Sequence, residues 1–166
     1  MLVLAVRGLA CAPLAGADDE AAVQALFERS ADAVEQMHHR PPRSDDARSL
    51  FEALAPGCAP EDKHIFGFFD GADLIGVLDV VRGYPEPRTW FVGLLLLDAA
   101  WRGRGLGERI MAALDAAVLA AGGDRLELLV QDTNPGGLRF WTGLGFAPVV
   151  PPRGGEGQQV LGRDLA

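Results

Sequence analysis

The stretch from Phe91 to Ala121, FVGLLLLDAAWRGRGLGERIMAALDAAVLAA, constrains this chain more than any other. Its apolar run stops at Asp98 and has the length and bounding of a buried strand. A loop with three alternating glycines follows, and a helical pattern begins at once. Gly103, Gly105 and Gly107 leave backbone N–H groups unshielded by any side chain, and the helix N-terminus behind them carries partial positive charge. Strand, glycine turn and helix N-terminus together make an anion site, most often one for phosphate.

Composition narrows what such a site serves. A chain of 166 residues with 49% hydrophobic and 23% charged residues reads as one globular domain over residues 1–166, long enough to bury a full core. Its net charge of −8 argues against nucleic acid, which needs a basic face. Two cysteines, Cys11 and Cys58, provide neither a disulfide framework nor metal-ligand spacing, so no metal is expected and a reduced, cytoplasmic setting fits. The apolar start, MLVLAVRGLACAPLAGA, lacks a charged region before its apolar residues and is interrupted by Arg7, so it is expected to belong to the fold rather than to a cleaved signal. No stretch approaches a membrane span.

In chain order, residues 2–14 read as a first strand. Asp18, Asp19 and Glu20 suit the first turn of a helix carrying Val23, Leu26, Phe27, Val34 and Met37, with a break near Ser30 and an end before Pro41-Pro42. Ser44 reads as the cap of a second helix with Ala47, Leu50, Phe51 and Leu54. From Lys63 the period becomes strand-like: His64–Phe69 and Leu74–Val81 flank an Asp70-Gly71 turn, a hairpin signal, and Arg88–Leu97 completes an antiparallel meander. After the glycine turn, Leu106, Ile110, Met111, Leu114, Ala117, Val118 and Ala121 share one helix stripe. Gly122-Gly123 ends that helix, and Arg125–Val130 is then a strand parallel to Arg88–Leu97, because a helix joins them. Asn134-Pro135 opens a short helix with an Asn cap, and Phe146–Val150 and Gln159–Leu165 read as closing strands.

Two glycine motifs fail on the turn. A P-loop ends in Gly-Lys-Ser/Thr, whereas Gly107 is followed by Glu108 and Arg109. The dinucleotide fingerprint requires glycine where Glu108 stands. What Arg102-x-x-Gly105-x-Gly107 after an apolar strand does resemble is the acetyl-CoA signature of the GCN5-related N-acetyltransferases. Asn134-x-x-Gly137-x-x-Phe140-Trp141-x-x-x-Gly145-Phe146 is similar to that family's second cofactor segment, and the order of elements agrees over nearly the whole chain.

The resemblance implies an α/β fold: a mixed, mostly antiparallel sheet of six to seven strands, flanked by helices and splayed between strands four and five. It implies acetyl transfer from acetyl-CoA to an amine by direct attack, the acceptor being a small molecule or a peptide. Backbone N–H groups of Gly103, Arg104, Gly105, Leu106, Gly107 and Glu108 would hold the pyrophosphate, with Arg102 or Arg104 adding a charge-assisted contact. The main chain of Leu95, Leu96 and Leu97 would pair with the pantetheine arm, and Asn134 and Trp141 would line it. Dimers are common in that family, but no residue here selects an oligomeric state.

Catalytic groups are not legible in the same way. Many family members have a Tyr where Trp141 stands, and an indole N–H cannot serve as the acid that protonates the departing thiolate. Strand four carries no carboxylate. Asp79, Tyr84 and Glu127 are the candidates, with His64 behind them; for Asp79 and Glu127 the plainer reading is a strand position facing solvent. His38-His39 reads as the cationic end of a helix. The alternative reading, from another class, is a CoA-binding sensor or structural module of the same fold without turnover.

Overall fold

The computed structural model describes all 166 residues. Seven strands, Ala10–Pro13 (β1), Lys63–Asp70 (β2), Asp73–Arg82 (β3), Thr89–Leu97 (β4), Arg125–Gln131 (β5), Ala147–Pro148 (β6) and Gln158–Asp164 (β7), form one sheet in the order β1-β2-β3-β4-β5-β7-β6. Every pairing is antiparallel except β4 with β5. Helices Gly16–Arg29 (α1), Ala31–His38 (α2) and Asp46–Glu52 (α3) precede β2; Leu106–Ala120 (α4) and Pro135–Gly143 (α5) flank β5 in sequence. None of them is long and apolar enough to cross a membrane.

Both faces of the sheet are covered. Phe68, Leu78, Val80, Trp90, Val92, Leu126 and Leu128 pack with the α4 stripe Leu106, Ile110, Met111, Leu114 and Val118. Ile65, Val77, Leu94 and Leu96 pack instead with Val23, Leu26, Phe27, Val34 and Ala47 of α1 to α3. Side chains on a strand alternate faces, so Val92 and Leu94 should share one. They do not, because Gly93 is the extra residue of a bulge: Asp79 pairs with Leu94 while Val80 pairs with Val92.

Trp90 and Val92 therefore face one core, and Leu94 and Leu96 the other. Beyond Val92, paired with Leu128, β4 and β5 no longer meet, and the facing edges of Gly93–Leu97 and Leu129–Gln131 stand apart. The sheet is splayed where the resemblance implied, and the bulge marks where the splay begins.

Some local expectations change. Residues 2–14 are not one strand: Leu2, Leu4 and Val6 bury their side chains in the α4 core as an extended segment outside the sheet, and only Ala10–Pro13 pairs with β2. Alternating apolar residues here report burial on one side without a ladder. The second helix begins at Asp46, not after Ser44, because the Asp46 carboxylate turns back to accept from the Arg43 N–H at 2.8 Å and to grip Arg40. It also ends at Glu52, leaving Leu54 exposed. The expected strand Phe146–Val150 shrinks to Ala147–Pro148, with Phe146 turned into the core.

Candidate functional site

The glycine turn supplies unclaimed donors. Trp101 and Arg102 still donate their N–H groups to Asp98 and Ala99, and Arg109 donates to the Gly105 carbonyl. Between them, the amides of Gly103 through Glu108 donate to no protein acceptor. Gly103 and Gly105 have φ of 71° and 74°, and a Cβ on either would meet nothing within 4 Å, so the loop is open on its outer side. Gly107 is required for another reason: a Cβ there would come within 2.9 Å of the Phe140 ring, which seats α5 against the start of α4. Six unclaimed N–H groups at the head of a fifteen-residue helix form an anion cradle.

Three clefts run on from this cradle. The first, about 520 Å³, is lined by Gly103, Gly105–Glu108, Leu95–Leu97, Asn134 and Phe140. The second, about 420 Å³, fills the splay between Phe91–Leu95 and Leu128–Gln131 and reaches Trp141. It shares Leu95, Asn134, Gly137 and Phe140 with the first. The third, about 280 Å³, lies under α2 and α3 and shares His38, Gly93 and Leu94 with the second. Met37 lines all three, so they lie side by side along one path from the glycine turn, past the splay, to the α1–α3 face.

Helix α2 roofs this path and is tied down on both sides. Arg102 donates from Nε to the Leu97 carbonyl at 2.8 Å and from its guanidinium to Asp32 at 2.7 Å, binding the end of β4 to α2. That guanidinium holds the Asp32 carboxyl below the usual carboxylate range. Across the splay, the Thr133 hydroxyl donates to the Gln36 carbonyl at 3.1 Å, and His39 Nε2 lies 3.2 Å from the Gln131 side chain.

Residues expected from the sequence divide into three groups. Leu95–Leu97, Gly103–Glu108 (except Arg104), Asn134 and Trp141 do line the first two clefts. Asn134 caps α5, its Oδ1 accepting from the Gly137 N–H at 2.9 Å. Trp141 is buried edge-on between Phe140 and Phe146. The arginine side chains are engaged with other partners: Arg102, which also lines the first cleft, with Leu97 and Asp32, and Arg104 over the Trp101 ring at 5.0 Å.

The catalytic candidates separate further. Asp79 and Glu127 do not face solvent; they are 5% and 3% exposed, because helices cover both sheet faces. Glu127 is claimed by Arg125 at 2.9 Å and by Arg153, and lines none of the three clefts. Tyr84 packs edge-on against Phe91 and lies outside the clefts, and His64 stacks on Trp90. Asp79 does line the third cleft, with Oδ2 3.0 Å from Lys63 Nζ and Oδ1 without a partner. Burial raises its carboxyl above the usual range despite Lys63.

Glu127→Gln is expected to leave acyl-group chemistry untouched and to cost about 2 kcal/mol of stability, read as a lower urea midpoint, since two arginines lose their shared partner.

His38 is the residue the sequence concealed. It lines both the second and third clefts while keeping part of its surface open to solvent, and the covering of its ring on the cleft side, then Arg40, lowers its imidazole pKa below the ordinary value. Nothing in its helix position distinguishes it from a cation closing α2. The cysteines take no comparable place: burial pushes the Cys11 thiol up to about 11, and neither lines a cleft.

Comparison with known proteins gives the same picture. The chain aligns over almost its full length with the crystal structure of an acetyltransferase from Thermus thermophilus, at 27% identity and a TM-score of 0.78, covering 99% of this chain and 100% of that one. The paia N-acetyltransferase of Thermoplasma acidophilum, solved in complex with coenzyme A, is 13% identical with a TM-score of 0.73, covering 95% and 99% of the two chains. The ribosomal-protein-S18-alanine N-acetyltransferase of Escherichia coli is 13% identical with a TM-score of 0.67, covering 95% and 94%. No curated protein matches the sequence. The sequence model of the acetyltransferase (GNAT) family matches residues 20–146, running from within α1 through the bulged β4 and the glycine turn to past the Asn134 cap. With that match and the splayed sheet that goes with it, the chain belongs to the GNAT acetyltransferase family.

Proposed function

We propose that this protein transfers an acetyl group from acetyl-CoA to an amine by direct attack on the thioester. One observation carries the reading: the unclaimed amides of the glycine turn border a cleft that adjoins the β4–β5 splay, which in turn adjoins a cavity on the α1–α3 face. The amides of Gly103–Glu108 bind the pyrophosphate, which the α4 dipole favours. The main chain of Leu95–Leu97 pairs with the pantetheine arm as a missing strand would, between Asn134 and Trp141.

This brings the thioester to the Gly93 bulge, where a β4 backbone N–H polarises its carbonyl. Holding donor and acceptor on a common path lowers the barrier mainly through positioning. Thiolate is a tolerable leaving group, since a thiol titrates near about 8.5, so Trp141 need not act as an acid. The acidic surface fits a cationic small molecule or a peptide amine better than nucleic acid.

Calorimetry with CoA, followed by thiol release from acetyl-CoA in the presence of amines, tests the reading. Saturable binding with turnover on at least one amine is expected. Binding with no turnover on any amine would favour a sensor or structural module, the reading that Trp141 supports by removing the tyrosine hydroxyl. Failure to bind CoA would remove the donor assignment.

A further inference from the structure

The third cavity has a definite chemistry. Its wall is apolar through Phe27, Val34, Leu50 and Leu94, and its polar groups are Asp79 and His38 at the bulge and the Arg40–Asp46 pair toward α3. Asp79 Oδ2 lies 2.6 Å from where a Cβ on Gly93 would stand, so the carboxylate occupies the side-chain space that the bulge vacates. Only glycine permits that approach. The result is a buried carboxylate in the cavity wall at the bulge, with one oxygen, closed off from solvent, that has no hydrogen-bond partner.

We infer that this cavity is the acceptor subsite for a small primary amine with a compact apolar body, whose nitrogen is held by Asp79 and whose ammonium proton passes to His38. The inference rests on the donor site proposed above. Both carboxylates in the wall already have a cation, Lys63 on Asp79 and Arg40 on Asp46, so the cavity is not a sink for polycations. At about 280 Å³ it is smaller than the roughly 300–1,000 Å³ of clefts that take drug-sized ligands, which leaves out aminoglycosides and long polyamines. The apolar walls reward a hydrocarbon body and provide no unpaired cation for an amino-acid carboxylate.

In the transfer, His38 accepts one proton from the ammonium, leaving a neutral amine whose N–H donates to Asp79. The nitrogen lone pair forms the N–C bond, the C–S bond breaks, and its electron pair leaves with the CoA sulfur. The second proton shed by nitrogen ends on that sulfur. His38 then returns its proton to water.

The charged and titratable groups around His38 are Arg40 and His39 beside it, Asp46 on α3 and Asp79 on β3; β4 and β5 offer none. Burial and Arg40 disfavour the imidazolium, with His39 a smaller influence in the same direction, and Asp46 opposes them more weakly than Arg40 acts. These influences favour the free-base imidazole, so the acid limb of kcat should lie below the ordinary histidine range.

The test uses the whole protein, acetyl-CoA, and phenethylamine and butylamine set against spermidine, glycine and an alanyl peptide. The small apolar amines should exceed the others in kcat/KM by about tenfold or more, a difference of about 1.4 kcal/mol in transition-state binding. His38→Ala should lower kcat by about a hundredfold or more, the scale of a lost general base, with CoA affinity kept and the acid limb of the pH profile gone. Ser49→Trp, on the exposed rim of the cavity, should raise KM for phenethylamine by about tenfold while leaving CoA affinity alone.

Preference for spermidine or the peptide would overturn the inference, as would wild-type kcat and KM in both variants. Amide NMR shifts on adding phenethylamine without CoA separate the two readings. Shifts at Gly93, Leu94 and Ser49 support the cavity even if CoA fails to bind. Shifts elsewhere reject it even if CoA binds.

Discussion

Gly105→Glu should abolish measurable CoA binding, a loss of about a hundredfold or more, while the protein keeps its far-UV circular dichroism and a cooperative melt. Gly105 sits at the head of α4 with φ of 74°, and no atom lies within 4 Å of where its Cβ would be. The substitution therefore meets no steric clash. Its conformational cost is that of a left-handed non-glycine residue, about 1–2 kcal/mol. The new carboxylate lies among six unclaimed amides and the positive end of a helix dipole, which favour it.

That is why binding suffers more than stability. An internal anion competes for the same donors as the pyrophosphate at high effective concentration, and repels it as well. Gly105→Ala carries the same backbone strain without the charge, so it should bind CoA at least about tenfold better than Gly105→Glu. Equal loss in both variants would mean that loop geometry, not anion competition, sets affinity. Unchanged binding in the glutamate variant would sink the cradle assignment.

How much of this was legible in the sequence follows from how local each signal is. The glycine turn, the α4 stripe, the Asn134 cap and the Asp70-Gly71 hairpin are written within a few residues, and all four appear in the structure, the stripe stopping short of Ala121, which lies exposed past the helix end. The parallel β4–β5 pair follows from the joining helix. Asp79 and Glu127 read as solvent-facing in the sequence, but alternation indicates solvent only when one sheet face is bare. Here helices cover both faces, and each acid is buried against a cation.

His38 was obscured by distance along the chain. Its cleft neighbours Gly93, Leu129 and Asp79 come from strands more than forty residues away, and only the tertiary closure of α2 over the splay assembles them. Gly93 stood out as a glycine amid leucines, but its purpose required the position of the Asp79 carboxylate.

Lys63→Met is expected to be the most destabilising single exchange at neutral pH, because it strands Asp79. Both side chains are 7% exposed, and their 3.0 Å contact is the only hydrogen bond either makes. Breaking a buried pair by removing one partner costs about 3–5 kcal/mol, most of it the penalty of an uncompensated buried charge. The pH dependence identifies that cause. Burial already raises the Asp79 carboxyl in the folded state, so the folded protein binds the proton more readily than the unfolded chain.

Stability from this group is therefore fully present below the unfolded pKa near about 3.8 and is lost as pH rises through the folded value. Removing Lys63 takes away the two influences that lower this carboxyl, so the window widens upward. Urea midpoints for Lys63→Met should accordingly fall further below wild type at pH 8 than at pH 5. The double exchange Lys63→Met with Asp79→Leu should recover most of the loss, since apolar replacement of a buried pair is often neutral or better. It should also lose the amine acceptor while still binding CoA. A double variant as unstable as Lys63→Met alone would mean that the lysine stem, not its charge, holds β2 to β3. A stable double variant that still acetylates phenethylamine would remove Asp79 from the acceptor subsite and leave the pair a purely structural one.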